Sequence, residues 1–191
     1  VDFNGAGAAT LSVGANLTFG TISNADSSDL IVFTGAAVQQ LVSGVQALPS
    51  VQVNKSGGSV QLVTNNVTQV ASGTLSFSCT VATSLDLATN SLSWTLSSGV
   101  TVNANVTVNV GGGSLLGGQG LTVSSGTVTH GAGTVNASSL TVSGGTYNGT
   151  GVGTLTLAGA VSVTSGTLNL GGKTVTGVTN FSVTGTGIIT F

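Results

Sequence analysis

Apolar and polar residues alternate with a period of two along most of the chain. Clear runs are Leu121-Thr-Val-Ser, Leu155-Thr-Leu, Val161-Ser-Val-Thr, Leu168-Asn-Leu and Val106-Thr-Val-Asn-Val. In each, a leucine or valine points one way and a hydroxyl or amide the other, the pattern of a strand buried on one face. Helical periodicity is nearly missing, and residues 36–45 are the one stretch that resists a strand assignment. So much strand would be unusual for an ordinary globular domain but suits a solenoid or a sandwich.

The second half repeats. The units Leu121-Thr-Val-Ser-Ser-Gly-Thr-Val, Leu140-Thr-Val-Ser-Gly-Gly-Thr-Tyr, Val161-Ser-Val-Thr-Ser-Gly-Thr-Leu and Phe181-Ser-Val-Thr-Gly-Thr-Gly-Ile follow one another at a nearly constant step. A period of this order marks a solenoid, because one coil cannot bury its apolar face alone. The pattern predicts an all-β fold, a β-solenoid of parallel β-helix type with roughly 20-residue coils in the C-terminal half. Leu121, Leu140, Val161 and Phe181 would then form a continuous internal ladder. A β-sandwich, pilin-like subunit with strand donation is the alternative fold.

The first half is looser. Phe3-Asn-Gly-Ala-Gly-Ala-Ala recurs as Phe33-Thr-Gly-Ala-Ala-Val-Gln, and Lys55-Ser-Gly-Gly makes a turn between two alternating runs. Pro49 fits a coil corner or an edge strand. The expected organisation is one elongated β domain over 1–191, with longer coils or hairpins in 1–100 and regular repeats in 101–191.

Composition narrows the function. Gly is abundant at 31 residues but Pro occurs once, which excludes a collagen-like chain. Hydrophobic residues reach 40% and charged residues only 3%, so the chain buries a core and surfaces it with Thr, Ser, Asn, Gln and Gly. Asp2, Asp26, Asp29, Asp86, Lys55 and Lys173 carry all the charge, and Arg, Glu and Met are absent. No basic cluster exists for nucleic acid or for an anionic membrane surface. Membrane insertion is not expected either: no 18-residue apolar run occurs, and aromatics are 4% with no girdle.

The units around Phe3, Phe33, Val53-Asn-Lys-Ser-Gly-Gly, Asn105-Val-Thr-Val and the Leu-Thr-Val-Ser-Ser-Gly-Thr-Val repeats resemble secreted bacterial adhesins and surface-fibre repeats of parallel β-helix type. Archaeal surface-thread subunits are a weaker resemblance. Such a likeness implies an extracellular or cell-surface location and a role in adhesion, biofilm or fibre formation. It implies copies of the chain itself as partners, with other surface components or glycans besides. A chain starting at Val1 without Met fits a processed mature subunit. Solenoid ends left uncapped by charge or helix would pair head to tail. An excised adhesin module, an ice-binding protein and a carbohydrate-binding or polysaccharide-acting β-helix are the competing functions.

Candidate chemistry is sparse, and neither an enzymatic role nor a cofactor is expected. Glycoside hydrolysis needs two flanking carboxyl groups, and only Asp26 and Asp29 lie close in sequence, in a polar turn. A weak calcium site is the better use for that pair. His130 has no carboxylate near it in sequence, and Cys79 stands alone, reading as a small buried hydrophobe. The glycines at 111–113 and 117–118 lack the Lys and helix of a phosphate loop. Trp94 and Tyr147 fall in phase with the apolar face, so neither offers a sugar platform.

Two surface features remain. Sequons at Asn16, Asn54, Asn66, Asn105, Asn136, Asn148 and Asn180 are glycosylation candidates. The repeat alignment also stacks hydroxyls into two ladders, Thr122, Thr141, Ser162 and Ser182 beside Ser124, Ser143, Thr164 and Thr184. Such ladders solvate a sheet without charge and resemble the flat Thr-rich faces of ice-binding solenoids. With so few charges, stability should respond little to salt or pH.

Overall fold

The computed structural model describes residues 2–3, 7–42 and 47–191. Among them every regular element is a strand, and every pairing between strands is parallel. Parallel strands need a long return path. Here the return is made by two further strands and three corners, so each turn of chain is a triangular coil with three faces.

The first face is crossed by Thr10–Val13, Leu30–Phe33, Ser50–Val53, Leu75–Phe77 and Val100–Val102. It continues through 121–123, 140–142 and 161–163, which belong to the longer strands Ser114–Val123, Thr134–Gly149 and Ala160–Asn169, and ends at Asn180–Val183. Those nine crossings make nine coils among the described residues. The second face runs from Leu17–Thr18 and Gln39–Val42 up to Ile188–Thr190, and the third from Ala47–Leu48 and Val67–Gln69 up to Thr174–Thr176. This is a parallel β-solenoid. It replaces the sandwich alternative, and of the longer coils or hairpins expected in 1–100 the described strands there pair as parallel coils.

The repeat alignment is the backbone register. Leu121 pairs with Leu140, Leu140 with Val161 and Val161 with Phe181, at the steps read from sequence. Coils toward the middle are longer: the step from Val51 to its partner Leu75, or from Val67 to Trp94, exceeds any of these, whereas the steps from Thr10 to Leu30 and from Leu30 to Ser50 do not. Two first-half readings need correction. Phe33 stacks between Val13 and Val53 on the first face, whereas Asp2, beside Phe3, bridges Ser23. The recurrence of Phe3 at Phe33 is therefore a likeness of composition, with Asn4, Gly5 and Ala6 outside the described residues. In the stretch 36–45, Gln39–Val42 is a strand, and 43–45 lie outside the described residues.

Alternation places one side chain in two inside the tube. Stacked about 4.8 Å apart, these become rows such as Val13, Phe33, Val53 and Phe77, or Val108, Val128, Tyr147 and Leu168. Trp94 sits in the row between Val67 and Leu115 and is fully buried, as is Tyr147. Pro49 occupies the corner between Ala47–Leu48 and Ser50–Val53, where its missing N–H breaks no ladder.

Glycine is demanded where corners stack tightly. A Cβ on Gly133 would lie 1.6 Å from the Gly113 carbonyl oxygen one coil below. Gly151, by contrast, has a positive φ of 68° but open space around it. We therefore expect Gly133→Ala to cost about 3 kcal/mol, and Gly151→Ala about 1–2 kcal/mol from backbone conformation alone. Urea midpoints of the two variants check the order; equal shifts would contradict the stacked corner.

Candidate functional site

Short polar side chains cover the tube, and its few ionisable groups stand out among them. The fold uses each of them. Lys55 lies in the corner after Ser50–Val53 and is 1% exposed. Its ammonium donates to the Ala37 carbonyl (2.7 Å) and to Gln39 Oε1 (2.6 Å). Gln39 Nε2 in turn donates to the Val13 and Ala15 carbonyls, at 2.9 and 2.8 Å. A single relay thus ties the corners of the first three coils together.

Lys173 does the same near the other end. Its Nζ donates to the carbonyls of Gly131 (2.6 Å), Thr150 (2.8 Å) and Gly151 (2.7 Å), spanning three coils. Burial disfavours the charged form of both lysines and lowers their pKa. Carbonyl oxygens supply the compensation that a carboxylate would otherwise give.

The acids are committed as well. Asp29, 2% exposed, accepts from the backbone N–H of Ala9 and of Asp26, both at 3.0 Å. Asp26 accepts from the Ser28 hydroxyl (2.5 Å) and N–H (2.7 Å), and these bonds, the hydroxyl first, hold its pKa below the ordinary value. The pair therefore caps a turn, and both Asp29 oxygens face backbone donors rather than a common cation point. Asp86 accepts from the N–H groups of Ala88 and Thr89 and from the Thr89 hydroxyl. Asp2 accepts from Asn24 Nδ2 at 2.9 Å. Among the described residues no three His, Cys, Asp or Glu side chains converge, and no helix is long and apolar enough to cross a membrane.

His130 is fully buried at the end of Thr127–His130. Its Nε2 meets the Gly133 carbonyl at 3.0 Å, and a carbonyl can only accept, so that nitrogen carries the proton. Nδ1 then accepts from the Tyr147 hydroxyl at 2.5 Å. Burial pushes the imidazole pKa down to about 4 and the Tyr147 phenol up. His130 is thus a neutral core group. Cys79 differs from expectation: it lies past the end of Leu75–Phe77, half-exposed, with its thiol donating to the Val53 carbonyl (3.2 Å).

On the first face, Thr122, Thr141, Ser162 and Ser182 align in register and are half-buried. The companion ladder needs correction. A register irregularity after Val142 pairs Ser143 with Ser165, so Thr164 drops out of line; Thr164 and Thr184 are exposed, and Ser124 bonds the Val102 carbonyl and Asn103. The most regular array is on the second face, where Thr107, Thr127, Thr146 and Thr167 stack beside Asn109, Thr129, Asn148 and Asn169. The signal for it was a Thr-x-Asn/Thr triplet recurring at nearly the step of the main repeat.

Asn16, Asn54, Asn66, Asn105, Asn136 and Asn180 are exposed, whereas Asn148 is half-buried and accepts from Asn169 Nδ2 at 3.0 Å. Asn16 and Asn66 use their Oδ1 to accept from the N–H of Gln40 and Ser93, both at 2.8 Å. Comparison with protein-family models, curated proteins and solved structures finds no match.

The lowered pKa of His130 predicts a pH-dependent stability, where the scarcity of charge alone predicts little response. The unfolded imidazole titrates near 6.5 and the folded one near 4. Between those values the unfolded chain binds a proton that the folded chain refuses, so stability rises with pH there. It is full above about pH 6.5, falls by about 3 kcal/mol on acidification to 4, and then levels off for this group. Thermal melts from pH 7 to 4 should show the loss, and His130→Gln, which can still accept from Tyr147 and donate to Gly133, should remove most of it. An unchanged profile in that variant would contradict the assignment.

Proposed function

We propose that the chain is a structural segment of an extracellular filament or surface fibre, lengthened head to tail by parallel pairing of its ninth coil with a further coil. The condition of the ninth coil carries this reading. Inward rows fully buried at Val161, Val163 and Leu168 continue into Phe181, Val183 and Ile189. There Phe181 is 43% and Val183 51% exposed, and Phe191 beside them is 90% exposed. A well of about 340 Å³ between Leu170, Lys173, Val175, Phe181 and Phe191 opens on the same end. An apolar layer with one free row of backbone donors and acceptors is complementary to the underside of a further coil.

The distribution of charge supports a structural rather than catalytic role. Every lysine, aspartate and histidine is engaged by the chain's own backbone or side chains. A wall of Thr, Ser and Asn hydrates the rod without steering any ion. The likeness to secreted adhesin and fibre repeats points the same way and adds cell-surface glycans or other surface components as neighbours, and the exposed sequons would carry glycans in a host that makes them.

Negative-stain microscopy and light scattering of the purified chain test the reading. Rods lengthening with concentration are expected, and Val183→Asp, which sets a carboxylate in the stacking layer, should leave single short particles. A wild-type chain that stays monomeric at high concentration would contradict head-to-tail assembly.

A further inference from the structure

The wall of the first face is interrupted at one level among the described residues. Leu75–Phe77 is the edge of a four-stranded sheet and makes no ladder with Val100–Val102 in the coil above. The alternation of backbone groups shows what is left open. The Thr74 carbonyl and the Ser78 N–H are turned to the coil below, where they bond Val51 and Val53 at 2.7 and 2.9 Å. The N–H and C=O groups of Leu75 and Phe77 therefore point upward, into the gap. A long bond from Asn103 Nδ2 to the Phe77 carbonyl, 3.4 Å, crosses it. A groove of about 310 Å³ opens here on the surface, flanked by Thr74, Ser76, Gly99 and Thr101.

Behind this mouth the core holds polar atoms with no partner in the protein. Gln69 is 3% exposed, and neither Oε1 nor Nε2 has a hydrogen bond. Trp94 is fully buried with its indole N–H unmatched. The two are neighbours in the stack: Val67 pairs with Trp94, which sets Gln69 two residues along the same strand, one coil below. Gln69 also lies at the corner leading to the groove, since a Cβ on Gly73 would come 3.4 Å from its own Cβ. An interior amide and an indole left unpaired are costly, and folded proteins meet such groups with ordered water.

We propose that gap and orphaned groups form one hydrated seam. Ordered waters enter between residues 75–77 and 100–102, bond the upward groups of Leu75 and Phe77, and bridge the Gln69 amide to the Trp94 indole. The ligand class is water, or a small uncharged molecule that both donates and accepts. Coils four and five thus meet through a wet joint on one face, whereas coils six to nine are laddered on all three. The rod would open first at this level.

Trp94 is the one tryptophan, so its indole N–H gives a single assignable NMR signal. That signal should show cross-peaks to water and exchange at least about tenfold faster than the amides of Val128 and Leu140 in the dry ladders. Gln69→Leu should weaken the cross-peak and slow the exchange. If that variant does not fold, exchange of the Leu75 and Phe77 amides in the wild-type chain decides alone, with fast exchange expected. An indole without water contact, exchanging as slowly as the most protected amides, would overturn the seam, and so would full protection at Leu75 and Phe77.

Discussion

Parallel pairing in register along the tube axis is the constraint from which the rest follows. Once Leu121, Leu140, Val161 and Phe181 pair backbone to backbone, every position in one coil lies over its counterpart in the next. A position inside must then be apolar in coil after coil, and a position outside must tolerate a copy of itself about 4.8 Å away. Like charges cannot meet that second condition, but Thr, Ser and Asn can, and Asn can bond its own copy, as Asn169 does with Asn148. The near absence of charge is a consequence of stacking, and it need not reflect what the surface binds.

The ionisable residues that persist stand where stacking is weakest. Corners change direction and leave carbonyls without ladder partners, and Lys55 and Lys173 each gather such carbonyls from the two coils below their own, Lys55 partly through Gln39. Asp26, Asp29 and Asp86 perform the converse task, collecting backbone N–H groups at turns. His130 bridges Tyr147 to a corner carbonyl inside the core. The few ionisable groups of the described residues are taken up in closing corners and turns, which supports the structural role proposed. The regular coils depend on this closure at their ends, while the seam beside Gln69 and Trp94 is the level where it is incomplete.

Much of this was legible in sequence, and the failures share a cause. Where coils keep one length, as from Leu121 onward, the repeat is the register, and the inward placement of Tyr147 between Val128 and Leu168 follows directly. Coils of the first half are unequal, lengthening after Val51, so a likeness of letters there does not give the register: Phe3 and Phe33 looked like equivalents, although Phe33 stacks on Val13 and Phe3 lies beside the bridge from Asp2 to Ser23. The second hydroxyl ladder failed through one irregularity at Ser143, which a periodic alignment cannot contain. The lysine and aspartate roles were invisible because they depend on carbonyls and N–H groups, which no residue letter records.

Distances along one ladder test the stack most directly. With Cys79 replaced by Ser, spin labels at Thr167 paired in turn with Thr107, Ser84 and Ser59 sit three, four and five coils apart on the second face. The solenoid requires backbone separations of about 14, 19 and 24 Å, rising by one strand spacing at each step. Separations that fail to rise in that order, as in a sandwich whose successive strands alternate between sheets, would contradict the account.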